Sequence, residues 1–273
     1  MVIGDTDYLF HYTTIEKLAL ILKNRKIRLN PLCNMDDLLE GRAKDLNNLG
    51  KFFYVSSWTD ENLESIPMWN MYTKMESGVR IGLPKNPFVF HNTKLEDLRK
   101  AVTMPVSGEE EIHTFLSLAD LIQRGVYSPQ AWGGDILFEV NYTDDKEMLE
   151  PQIVTTDEEH LNLNTIHMGK NKNKYWEFQK EWRYMMMFVP FKITENVYLM
   201  QPQFNNMVNR IAQDRQEAPF EYFDLEIEND AMNKMIVTPS PRITKGNRIL
   251  LDSLLKLYNP NAIVQESELL NLI

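Results

Sequence analysis

The run Trp182–Phe191, WRYMMMFVPF, constrains this chain more than any other stretch: ten residues with one charge, dense in aromatic and apolar side chains. A run this short and this apolar predicts a buried strand. At its mouth stand Gln179 and Glu181, two positions apart. Alternation along a strand puts them on one face, with Lys180 and Trp182 on the other. Arg183 falls on the face of Glu181, so a structural ion pair is one reading of the carboxylate. The other is chemical. A carboxylate at the rim of a cleft can accept a ribose hydroxyl and stabilise positive charge on an anomeric carbon, while a neutral amide beside it orients a nucleophile.

Further strands are expected at Tyr8–Thr14 (YLFHYTT), 27–32, Lys51–Thr59 (KFFYVSSWT), Gly78–Leu83 (GVRIGL), 135–142, 235–240 and 262–267. Helical periodicity follows the first strand, with Ile15, Leu18, Ile21 and Leu22 on one face and Thr13 or Thr14 as cap, and recurs in SIPMWNMYTKM and NRILLDSLLKLY. Ser107 and Glu110 form a capping box before a helix expected to end at Gly125. With no repeat and no linker tract, the chain reads as one α/β (α+β) domain over 1–273, with a mixed, split sheet and a helical insertion at 105–133. Neither a dinucleotide glycine loop nor a Walker loop is present in the sequence.

The 273 residues are 43% hydrophobic and 25% charged, enough for a full core without staples. A net charge of −10 argues against a surface built for nonspecific nucleic-acid or lipid binding. One cysteine, Cys33, excludes an internal disulfide and suits a reducing cytoplasm. No signal segment and no membrane-length apolar run are expected. Against the acidic background, GKNKNKY places Lys170, Lys172 and Lys174 directly before Gln179, as a solvated loop or as cations for a diphosphate or a phosphate-bearing target. His91, His113, His160 and His167 lack zinc spacing, and DEEH (157–160) lacks a partner cluster. NMDDLLE (34–40) offers Asp36, Asp37 and Glu40 to a divalent cation but is explained more simply as a helix start with an acidic first turn. No metal is expected.

Gln-x-Glu at a strand start resembles the catalytic motif of the ADP-ribosyltransferases. YLFHYTT is similar to the first strand of their histidine–tyrosine–glutamate class, and FFYVSSWT followed by MWNMYTK has the order of its next strand and helix. The resemblance implies NAD as substrate, held by His11, by the backbone of Tyr12 and by the hydroxyl of Thr13. It implies Tyr72 as the platform under nicotinamide, Trp69 and Tyr54 as further aromatic walls, and Ser56 and Ser57 as hydroxyls for the ribose. Glu181 would be catalytic, Gln179 would place the nucleophile, and Lys170, Lys172 and Lys174 would meet the target. The stretches HYTT, NMDDLLE, MWNMYTKMESGVRIGL and WEFQKEWR, spanning about residues 8–190, also resemble a bacterial family of unknown function, in which glutamate is usual where Gln179 stands.

That resemblance implies a mono-ADP-ribosyltransferase acting on a protein or nucleic acid in a bacterial cytoplasm, as a toxin or antiviral factor restrained by an inhibitory partner protein. The rival expectation is a non-catalytic nucleotide- or protein-binding module with the same cleft.

Overall fold

The computed structural model describes residues 8–94, 111–132, 134–156, 161–191 and 197–273. Helices and a mixed sheet combine in an α/β fold. Among the described residues the main sheet has nine strands. Its hub is β3 (Phe53–Thr59), paired along its whole length with β12 (Glu181–Met187), so that Glu181 lies opposite Thr59 and Arg183 opposite Ser57. The other edge of β3 is shared. Near its start β2 (Lys26–Pro31) pairs at Tyr54 and Val55, and at its end β1 (Tyr8–Thr14) pairs through Phe10 opposite Thr59. The sheet therefore divides at β3, and β1 continues outward through β4 (Gly78–Pro84), β14 (Ile236–Pro239) and β15 (Ile263–Val264). All pairings of the main sheet are antiparallel except β14 with β15.

The unbroken apolar run of β12 is explained by burial on both faces. Tyr184, Met186 and Phe188 enter one core with Leu9, Tyr54 and Trp58. Met185, Met187 and Val189 enter a second, with Phe53, Val55 and Ile153. The first core is covered by α1 (Ile15–Asn24) and α7 (Lys245–Tyr258) through Leu18, Leu22, Leu251 and Leu255. The second receives Met207, Val208 and Ile211 from α5 (Val197–Ala212). Glu181 and Arg183 share the strand face of Met185 and Met187, so two charged groups sit where the second core's apolar lining ends.

Local caps follow the sequence. Thr14 rather than Thr13 caps α1, accepting from the Lys17 amide at 3.5 Å. Ser65 caps α2 (Ile66–Tyr72), with proline in the first turn. The expected helix 107–125 is corrected. Glu111–Thr114 form β6, paired with β5 (His91–Lys94), and only Leu118–Arg124 are helical, as α3, capped by Ser117 and closed by Gly125 in the left-handed region. Ser107 and Glu110 lie outside the described residues. The insertion is thus strand, helix and 3-10 turn among its described residues, because pairing with β5 outweighs local helical periodicity at 111–114. Asn34 ends a short 3-10 helix, Leu32–Asn34, and residues 35–40 form bends and turns, not a helix start. No helix among the described residues is long and apolar enough to cross a membrane.

Candidate functional site

Where β1 parts from β3 a pocket opens. The ladder between these strands stops after Phe10 and Thr59. One residue further, the His11 imidazole takes up the strand's polar edge: Nδ1 lies 2.8 Å from the Ser57 carbonyl oxygen. A carbonyl only accepts, so Nδ1 carries the proton and Nε2 is left as an acceptor. Burial pushes the His11 pKa below its ordinary value, against the pull of the Ser57 hydrogen bond, and keeps the ring neutral. Trp58 braces it, ring centroids 5.2 Å apart.

The cavity, about 80 Å³, is walled by Phe10, Tyr12, Trp58, Met35, Met68 and Tyr72, with His11, Asp36, Ser57, Lys172, Gln179, Glu181 and Arg183 as its polar groups. Met68 and Tyr72 are four apart on α2 and so share a helical face. Tyr72 is held at its hydroxyl, which accepts from the Gln179 amide and donates to Asp36. Burial, then the nearby carboxylates of Asp36, Glu181 and Glu40, raise its pKa, so the phenol stays protonated. Tyr12 ties the pocket to α2 by accepting the Ser65 amide at 2.9 Å.

At the polar end lies a buried cluster of two cations and two carboxylates. Glu181 Oε1 accepts from Arg183 Nε at 2.6 Å, and Oε2 accepts from both Arg183 Nη2 and Lys172 Nζ at 3.0 Å. Arg183 reaches on to Glu40 Oε1 at 2.5 Å and to the Gly169 carbonyl at 2.9 Å. Lys172 also donates to Gln179 Oε1 at 2.8 Å and stands 3.6 Å from Glu40 Oε1. Burial alone would raise the Glu181 carboxyl, but Arg183, Lys172 and the hydrogen bonds from Arg183 and Ser57 outweigh it and hold its pKa at about 2. Glu40 goes the other way. Burial raises it more than Arg183 and Lys172 lower it, and its Oε2 finds no partner among the described residues.

Glu181 is thus ionised at neutral pH, unsuited to serve as a base, and able to act as a fixed negative charge. Its backbone is fixed as well, the amide donating to the Tyr142 hydroxyl at 2.8 Å. On its other side Glu181 lines a wider polar cleft of about 610 Å³ with Asp60, Glu61, Glu139, Tyr142 and Glu177.

The fold brings His11, Tyr12, Tyr72, Lys172, Gln179 and Glu181 to one pocket, and several sequence expectations need correcting. Gln179 and Glu181 do not share a strand face: Gln179 ends a 3-10 helix, Lys174–Gln179, and Lys180 adopts φ 45° before Glu181 opens β12. Both amide ends of Gln179 are engaged, so it braces Tyr72 and Lys172 instead of presenting a free amide to a nucleophile. Thr13 is buried on β1 and Ser56 accepts from the Trp58 indole at 3.0 Å; neither lines the pocket, whereas Ser57 does. Tyr54 lies in the first core with its hydroxyl on the Phe220 carbonyl. Trp69 packs edge-on against Tyr12, donating to Glu64. The three lysines form no common basic surface. Lys172 is buried, Lys170 lies 4.0 Å over the Phe138 ring, and Lys174 pairs with Asp144.

In the sequence Asp36 and Glu40 read as an acidic helix start or as cation ligands, not as partners of this pocket and its cluster. Nothing local in NMDDLLE signals that Tyr72 and Arg183, far along the chain, would meet it. Among the described residues no group of histidine, cysteine, aspartate and glutamate is arranged to hold a metal ion.

No curated protein and no solved structure matches the chain. Residues 68–184, the stretch that carries Tyr72, Lys172, Gln179, Glu181 and Arg183 but not His11 or Glu40, match the model of a family described as a protein of unknown function (DUF2971).

Proposed function

We propose that the pocket takes the nicotinamide–ribose end of NAD and that the protein transfers ADP-ribose from it to a macromolecule, as a mono-ADP-ribosyltransferase. The observation that carries this reading is convergence: His11, Tyr72 and the Gln179/Glu181 junction, three separate segments, line one cavity with aromatic walls. A cavity of about 80 Å³ suits one flat ring rather than a whole dinucleotide, so the ring enters and the diphosphate stays outside. A pyridinium against Tyr72 gains about 0.5–2 kcal/mol from stacking and cation–π attraction. His11 Nε2 is the acceptor for a ribose hydroxyl. As the bond between nicotinamide nitrogen and anomeric carbon breaks, its electron pair leaves with nicotinamide. The ionised Glu181 then faces the positive charge on the sugar. The acceptor's nucleophile, or water as a side reaction when no acceptor is present, forms the new bond, and its proton passes to solvent, since neither Glu181 nor Gln179 is a base. The carboxylates of the outer cleft favour a protein acceptor over a phosphate-rich one.

A second reading has its own support. Glu181 already accepts three hydrogen bonds from two cations, a compensated charge that fits a binding module without chemistry. Exposure of cellular protein and RNA to the protein and NAD, followed by mass analysis, separates the two. Transfer predicts an ADP-ribosyl adduct with wild type and none with Glu181→Gln. NAD binding by calorimetry with no adduct and no free nicotinamide supports the module. Absence of NAD binding overturns the transfer reading.

A further inference from the structure

Glu181 accepts three hydrogen bonds from Arg183 and Lys172 and one from the Ser57 hydroxyl, which fill the roughly four sites of a carboxylate. A ribose hydroxyl must therefore displace a partner, and of the two cations the cluster shows which. Arg183 is pinned at three points, on Glu181, on Glu40 and on the Gly169 carbonyl. Gly169 itself is fixed, with φ 68° and a Cβ position only 2.6 Å from Met185 Sδ. Lys172 is different. Its ammonium, on a flexible four-carbon stem, donates to the neutral Gln179 Oε1 at 2.8 Å and to Glu181 Oε2 at 3.0 Å, and lies 3.6 Å from Glu40 Oε1. A shift of under about 1 Å would bring it to charge-assisted hydrogen-bond distance of Glu40. Glu40 is also the group with capacity to spare, because its buried Oε2 has no partner among the described residues and a buried carboxylate oxygen left so is costly.

We propose that Glu40 is a positioning residue that takes Lys172 from Glu181 when the substrate ribose enters, freeing Glu181 Oε2 for the ribose hydroxyl. The inference rests on the transfer reading above. The exchange conserves charge, since Lys172 leaves one carboxylate for another within the cluster. It has an electrostatic consequence at the reacting carbon: with the ammonium drawn toward Glu40, the field from Glu181 at the sugar becomes more negative as positive charge develops there. Lys172 then acts as a plug over Glu181 in the resting protein.

The test is nicotinamide release from NAD by four proteins: wild type, Glu40→Gln, Lys172→Met, and the charge-balanced Glu40→Gln/Lys172→Met. Glu40→Gln keeps shape but removes the charge that receives Lys172. Its kcat is expected to fall about tenfold or more with KM for NAD changed by less than about twofold. The double variant, with no ammonium left to move, is expected to regain most of the lost rate. Because restored charge balance would also rescue a merely structural loss, kcat is compared only below the melting transition of each protein, where a residue that merely supports the fold would leave the kcat of Glu40→Gln unchanged. If Glu40→Gln does not fold, the double variant decides alone: a rate near that of wild type supports the inference and a rate near background overturns it. Glu40→Gln turning over like wild type, or a double variant no faster than Glu40→Gln, overturns the exchange and leaves the transfer reading standing. Wild type at background overturns both.

Discussion

At the scale of single residues, the account turns on two groups whose ionisation is set by burial and by named partners. Glu181→Gln leaves Arg183 and Lys172 short of a carboxylate, and breaking a buried pair from one side costs about 3–5 kcal/mol. Denaturant unfolding of the variant checks that loss. Glu181 is depressed from its ordinary range to about 2. Its contribution to stability is therefore complete above the unfolded value and is lost as pH falls from about 4.5 toward 2. Glu40, raised by burial, has the opposite sign, favouring the fold at low pH and losing that contribution as pH rises through its folded value. Across that acid window the Glu181→Gln protein is expected to show a flatter stability profile than wild type. His11 offers a second check. Its depressed pKa means that it stays neutral in the fold below the pH at which a free imidazole charges, and stability declines as pH falls through about 6.5. Nitrogen-15 spectra of the histidines are expected to show neutral His11 protonated on Nδ1; the other tautomer contradicts the geometry. At this scale the sequence exposed Glu181 and His11 through their residue types on strands, but the partner of Glu40 stayed hidden, because a carboxylate in a turn reveals its partner only once the chain has closed.

At the scale of elements, the junction into β12 is the informative part. Its strand was legible because WRYMMMF offers apolar side chains to both faces, and the two cores take them alternately. The approach to it was misread. Pleat alternation was expected to align Gln179 with Glu181; instead a 3-10 helix ends at Gln179, and Lys180, in the left-handed region at φ 45°, turns the chain into the strand. A non-glycine residue there is strained by about 1–2 kcal/mol. Lys180→Gly relieves that strain while adding backbone freedom to the unfolded chain, so the variant is expected to be unchanged to about 1 kcal/mol more stable. A clear loss of stability in thermal unfolding would show that the turn is not held as described. The segment 107–125 taught the converse lesson. Its helical periodicity was real over Leu118–Arg124, yet Glu111–Thr114 joined β5, since strand pairing partners are set by the fold and not by the local pattern.

At the scale of the whole molecule, the pocket exists because the sheet divides. β3 gives one full edge to β12 and splits the other between β2 and β1, which leaves His11 and Ser57 facing each other across the opening. α2 then hangs Tyr72 over that opening, and the segment 35–40 closes it through Met35 and Asp36 while Glu40 holds Arg183 behind the lining. Mixed strands and helices were readable from runs of residues, whereas the division of the sheet depends on registers between distant strands. The most direct test of the central claim, that Glu181 faces a sugar carbon whose bond to nicotinamide is broken, is chromatographic quantification of free nicotinamide after incubation with NAD. Wild type and Glu181→Gln would be compared, each first shown to be folded by its melting transition. Release above the spontaneous background by wild type, and background alone for the variant, is the predicted result. Wild type at background while NAD is bound in the pocket, or a folded variant as active as wild type, would contradict it.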